Sequence, residues 1–123
     1  MTTKYNKYIS PSEFQIQKTV KQWLDTKNVL YFSIPNEAAC NSIKGKHLKD
    51  TGMRKGVSDM FIAEPHHNFH GMFLELKKAS GVLSPEQRQF LRDVEQKNYF
   101  TAVCFSVDEA IAILTWYISV PAS

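Results

Sequence analysis

The chain reads as one α/β domain, a mixed sheet flanked by helices in the order α-β-β-β-α-β-α. Three serine-headed helix starts, with four short β-branched or aromatic runs placed among them, predict that order. At 123 residues, 43% apolar and 22% charged, the chain suits a single globular domain that needs no staples. The domain is expected to fill residues 1–123, with its core over about 10–118 and a basic loop over 37–56.

The first helix is signalled by Ser10-Pro11-Ser12-Glu13. It offers an N-cap serine, proline at the first helical position and glutamate at the third, the pattern of a capping box. Ile16, Val20, Trp23 and Leu24 follow at helical spacing and bury one face, and Glu13 falls on the same face. Residues 29–34, rich in β-branched and aromatic side chains, read as a strand ended by Pro35-Asn36. Residues 58–63 and 71–77 read as an antiparallel pair joined by a turn over 64–70. Ser84-Pro85-Glu86-Gln87 repeats the cap pattern, and Phe90, Leu91 and Val94 supply the buried face behind it. A fourth strand over 100–105 follows. Ser106-Val107-Asp108-Glu109 is a third capping box, opening a helix through about Tyr117. Because a helix links the third strand to the fourth, those two are expected to run parallel with a right-handed crossover.

Several function classes drop out on composition. Residues 1–8 are polar and carry no hydrophobic stretch of a secretory signal. The longest nearly apolar run, 110–118, is too short to span a bilayer, so no membrane role and a cytoplasmic location are expected. Cys40 and Cys104 lack zinc-site spacing; their even number allows one disulfide, but without a secretory signal reduced thiols are expected, Cys104 packing as a small hydrophobe. Charge is lopsided: residues 1–56 hold ten Lys and Arg against four Asp and Glu, and residues 57–123 hold five against eight. A basic half suits a polyanionic partner and an acidic half can hold a cation.

Glu75-Leu76-Lys77 carries the chemistry. Residues two apart on a strand share a face, so Phe73, Glu75 and Lys77 point one way while Leu74 and Leu76 point the other. A carboxylate and an ammonium on an otherwise apolar strand must be paired, solvated or metal-bound. Asp59 opens the preceding strand, and a plausible hairpin register sets its carboxylate beside Glu75. Two adjacent carboxylates repel unless a proton or cation lies between them, and a hard divalent cation, Mg2+ or Mn2+, answers that need. His66, His67 and His70 form an H-H-x-x-H cluster, but it sits in a turn with only Glu64 as a further ligand nearby, whereas structural zinc normally takes four.

Taken together, Glu13 with Gln17, Gly56-Val57-Ser58-Asp59, Glu75-Leu76-Lys77 and Gln87 resemble the VRR-NUC branch of the PD-(D/E)XK nuclease superfamily. Pro35-Asn36 before the basic loop is similar too, and the resemblance runs from about Glu13 to Leu114. The proline usual before the aspartate is Ser58 here, at a position that supplies no ligand. The resemblance implies a restriction-endonuclease-like core and a Mg2+- or Mn2+-dependent DNA endonuclease. Asp59 and Glu75 would ligate the metal with the carbonyl of Leu76, and Glu13 would reach the cluster directly or through water. Lys77 would act on the attacking water or on the phosphate, and Gln87 would position water, lysine or phosphate. Glu13 and Gln87 each have a competing reading as capping-box residues.

The basic loop residues Lys44, Lys46, Lys49, Arg54 and Lys55 are the candidate DNA contacts. A domain this short carries no separate base-reading module, so structure-selective cutting of branched or four-way-junction (Holliday junction) DNA by a homodimer is expected. A catalytically inactive DNA-binding module of the same fold is the alternative. The aromatics Tyr5, Tyr8, Trp116 and Tyr117, with Ile118 and Val120, are the spare apolar material for an interface.

Overall fold

The computed structural model describes residues 11–35 and 49–123. Calls that fall on Tyr5, Tyr8, Ser10, Asn36, Cys40, Lys44 and Lys46 lie outside the described residues. Within them the elements are α1 (Glu13–Asp25), β1 (Tyr31–Ser33), β2 (Met60–Ile62), β3 (Met72–Leu76), α2 (Pro85–Glu95), β4 (Phe100–Cys104) and α3 (Val107–Tyr117). The expected order holds, with strands one to three residues shorter than their apolar runs.

The sheet runs β1-β2-β3-β4, antiparallel across the first two pairs and parallel between β3 and β4. Alternation along the strands divides its two faces. Met60, Ile62, Met72, Leu74 and Leu76 pack with Ile16, Val20 and Leu24 of α1 and with Ala110, Leu114 and Tyr117 of α3. Cys104 joins this core, its thiol pushed up to about 11 by burial. The other face carries Phe61 and Phe73, and Phe73 meets Phe90 of α2 edge to face with ring centres 5.0 Å apart. The sheet is thus sandwiched, with α1 and α3 on one side and α2 on the other.

The cap of α1 differs from expectation. Ser12, not Ser10, is the N-cap, and its capping box closes with Gln15, each side chain bonding the other residue's amide. Both serines stand three residues before a Glu or Gln, so both satisfy the pattern, and the helix takes the second. Glu13 is therefore the first helical residue, with its carboxylate released from capping duty. The Ser84–Gln87 box of α2 forms as expected. At α3, Ser106 accepts the amide of Glu109, but Glu109 reaches back to the amide of Phe105 instead of the N-cap amide.

Candidate active site

The register of β2 on β3 pairs Met60 with Leu74. Carried one residue further, it sets Asp59 opposite Glu75, where facing Cβ atoms of an antiparallel pair stand about 5 Å apart. Asp59 Oδ2 accepts the backbone N–H of Leu76 at 2.7 Å. That bond fixes the carboxylate at the end of β3. Glu75 is only 2% exposed, yet among the described residues its Oε1 has no hydrogen-bond partner. Burial raises both carboxyls, and the neighbouring charge of Asp59 helps to push Glu75 up to about 9. The metal-free pair is frustrated, because two facing carboxylates, one half-buried and one buried, repel unless a proton or a cation lies between them.

Gln87 serves both of its candidate roles at once. Its Oε1 accepts the amide of Ser84 at 2.8 Å in the capping box, which turns its amide nitrogen toward Glu75 Oε2 at 3.3 Å. The helix start that packs α2 on the sheet thereby holds one oxygen of the central carboxylate. Gly56 makes this approach possible. Its φ is +88°, and a Cβ there would lie 2.6 Å from the backbone carbon of Glu86 and 2.8 Å from the nitrogen of Gln87. Only glycine combines that backbone angle with that closeness.

Glu13 lies at the rim, solvent-exposed, with Oε2 accepting the amide of Lys78 at 3.4 Å. Its charge raises the carboxyls of both Asp59 and Glu75. Among the described residues no three His, Cys, Asp or Glu side chains converge on one point, so the centre is a pair with a third carboxylate nearby. Lys77 is buried at 9% exposure and lowers both carboxyls electrostatically. Its backbone amide is held by the carbonyl of Cys104 across the parallel ladder at 2.9 Å. Sequence patterning thus brought together Asp59, Glu75, Lys77 and Gln87, with Glu13 at the edge.

The basic residues that are described divide. Lys49 and Lys55 are exposed. Arg54 instead pairs with Asp93 of α2 at 2.6 Å and covers the ring of Phe90, stapling the segment before Gly56 onto α2. Ser58, in the place of the usual proline, is fully buried, and its hydroxyl has no partner among the described residues.

The histidines do other work. His66 donates from Nδ1 to the carbonyl of Val120 at 2.8 Å, and its Nε2 meets Glu64 Oε1 at 3.0 Å. His67 stacks on Trp116 at 4.0 Å and bonds its carbonyl. Tyr117, counted as spare apolar material, is fully buried and donates to the carbonyl of Glu64 at 2.8 Å. These contacts dock the C-terminal residues on the β2–β3 turn. Glu64 is the structural residue that sequence reading missed; only its place beside His66 hinted at it.

Comparison with known proteins points the same way. The sequence model of the VRR-NUC domain family matches residues 11–108, ending as α3 begins. A solved structure described as a VRR_NUC domain protein aligns with a TM-score of 0.76 at 20% identity, covering 90% of this chain and 91% of its own. That likeness is one of fold. No curated protein sequence matches the chain. With the family match spanning most of its length and the paired carboxylates at the expected positions, the chain belongs to the VRR-NUC domain family and has a nuclease-type fold.

Proposed function

We propose that this protein is a divalent-metal-dependent endonuclease whose centre is Asp59, Glu75 and Lys77. The observation that carries the reading is that half-buried Asp59 faces buried Glu75, whose Oε1 has no hydrogen-bond partner among the described residues. The donor set is all oxygen, which suits Mg2+ or Mn2+ completed by water. Leu76 adds to it. Its N–H faces Asp59, and in an extended strand a residue's N–H and C=O leave on the same side, so its carbonyl faces the pair. Glu13, at the rim, fits contact through water.

A bound divalent cation supplies neutralising charge for the phosphate and a water of lowered pKa. The chain's own residues do the rest. Gln87 fixes one oxygen of Glu75 so that the other stays free for a ligand. Lys77, held on the same face as Glu75, orients the water or stabilises charge growing on the phosphate. Lys49, Arg54 and Lys55, with Lys44 and Lys46, supply phosphate affinity, and the Arg54–Asp93 pair also holds the segment before Gly56 on α2.

The substrate we favour is branched DNA, cut by a homodimer. Paired incisions across a junction need two sites at fixed separation, and a two-fold dimer supplies them. Trp116 and Val120 remain partly exposed on one side of the domain. Among the described residues no helix is long and apolar enough to cross a membrane. The reading is tested by thermal shift with Mg2+ or Mn2+ and by light scattering at micromolar concentration. We expect a rise in Tm with metal in wild type that Glu75→Ala removes, and a dimeric mass. An unchanged Tm would count against the metal, and a monomer that nicks linear duplex as readily as a four-way junction would remove the dimer.

A further inference from the structure

A groove of about 350 Å³ runs between α1 and the edge of the sheet, lined by Phe14, Lys18, Lys21, Tyr31, Ser33 and Met60. Phe14, Lys18 and Lys21 fall four and three residues apart, so they form one stripe along α1, spanning about 10 Å. This stripe is not the buried one of Ile16, Val20 and Leu24. Phe14 is 74% exposed, its ring spread over the groove instead of in the core. Lone surface phenylalanines are ordinary; one set at the head of two lysines over an apolar groove is a different object.

The groove starts at the catalytic end of the sheet. Phe14 follows Glu13, Met60 follows Asp59, and Ser33 pairs with Met60 in the β1–β2 ladder. The next residue, Ile34, donates its amide to the carbonyl of Asp59 at 2.8 Å. The groove thus opens on the α1 face, at the same end of the sheet as the carboxylates but on the face opposite theirs, and a strand that turns past Glu13 around the β1 edge reaches it. Lys21 pairs with Asp25 at 2.7 Å, and Tyr31 also donates to Asp25. That ion pair lies at the surface, its side chains 58% and 48% exposed, where such pairs contribute little, so Lys21 can turn to a phosphate at small cost.

We propose that this groove is a subsite for an unpaired nucleotide of the DNA substrate, with the base stacked on Phe14 and the adjoining phosphates on Lys18 and Lys21. The inference rests on the nuclease reading and names its substrate more closely, as DNA with a single-stranded segment beside the cut. An aromatic face with flanking cations is the general recipe for single-strand binding, because every base has a face to stack. The volume is at the lower end of small-ligand sites, roughly 300–1,000 Å³, which suits one nucleotide and not a duplex.

The test is fluorescence anisotropy of the full chain in EDTA, with a fully paired duplex and the same duplex bearing a single-stranded flap. Phe14→Ala is expected to weaken flap binding by about 5- to 150-fold, the range for losing one base–aromatic stack, and to leave duplex binding within about twofold. Phe14→Tyr retains flap binding. Lys18→Ala with Lys21→Ala shrinks the slope of log affinity against log salt by up to about 1.4 units on the flap. Equal losses on both DNAs, or no loss on either, would overturn the subsite. If Phe14→Ala instead turns a dimer into a monomer at unchanged DNA affinity, the groove is an interface between copies and the proposal fails. Wild type that cuts DNA with an indifferent Phe14→Ala sinks only the subsite; wild type that binds neither DNA sinks the nuclease reading with it.

Discussion

The β2–β3 hairpin gathers titratable side chains at both ends, and the fold treats the two ends in opposite ways. At the turn, His66 is 5% exposed with both ring nitrogens engaged. Glu64 there accepts the amide of Leu30, the ring of His66 and, on its backbone carbonyl, the hydroxyl of Tyr117. Burial works upward on Glu64, but the Leu30 amide and the His66 ring hold its carboxyl below the usual value. At the open end, Asp59 and Glu75 are both raised, and one oxygen of Glu75 has no partner among the described residues. A satisfied cluster rigidifies; a frustrated one waits for a ligand. Either cluster could have passed for a metal site in sequence, and hydrogen-bond satisfaction separates them.

Substitutions sharpen this contrast, the largest effect first. Asp59→Ala or Glu75→Ala is expected to lower metal-dependent cleavage by about 1,000-fold or more, with the fold retained because the metal-free site loses a repulsion. Lys77→Ala keeps the metal-induced rise in Tm and cuts about 100-fold more slowly. Comparable cleavage by all three variants would remove the open end from the chemistry. Gly56→Ala forces a positive φ on alanine and a 2.6 Å contact with Glu86, so about 1–3 kcal/mol of stability should go. Urea denaturation reads that loss, and a fall in kcat alongside it reports the displaced Gln87.

His66→Ala tests the opposite end. Leaving Glu64 and the carbonyl of Val120 short of a partner should cost about 2 kcal/mol in urea denaturation. Cleavage per folded molecule should stay at the wild-type level. A loss of activity without loss of stability would make the turn part of the active site.

The two ends also differ in their response to pH. Glu75 has the ordinary glutamate value of 4.5 when unfolded and keeps its proton to about 9 when folded. The folded state therefore holds the extra proton between those values, and metal-free stability falls as pH rises through that window. Glu75→Gln, which cannot ionise, should flatten the fall in Tm measured in EDTA. A wild-type Tm that climbs from pH 5 to 9 in EDTA would mean that the carboxylates are not sharing a proton.

The open end was legible from sequence because strand alternation places Asp59, Glu75 and Lys77 on one face whatever the rest of the chain does. Element order was legible for the same local reason, since caps and periodicity are short-range signals. The α1 cap was misplaced because Ser10 and Ser12 satisfy one rule equally, and packing chose between them. Gln87 carried two readings that turned out to be compatible, since an amide has both an acceptor and a donor. The closed end was not legible. His66 and Glu64 are satisfied by Val120, Tyr117 and Leu30, partners tens of residues away that no local pattern pairs with them. The ion pair of Arg54 with Asp93, 39 residues on, is likewise something no local pattern shows.

The most direct measurement is digestion of linear duplex and four-way-junction DNA by wild type and Glu75→Ala, each in Mn2+ and in EDTA. Wild type should cut in Mn2+ alone and favour the junction, and Glu75→Ala should cut in neither. Cleavage by wild type in EDTA, or undiminished cleavage by Glu75→Ala in Mn2+, would contradict the assignment of the carboxylate pair as a metal-dependent nuclease centre.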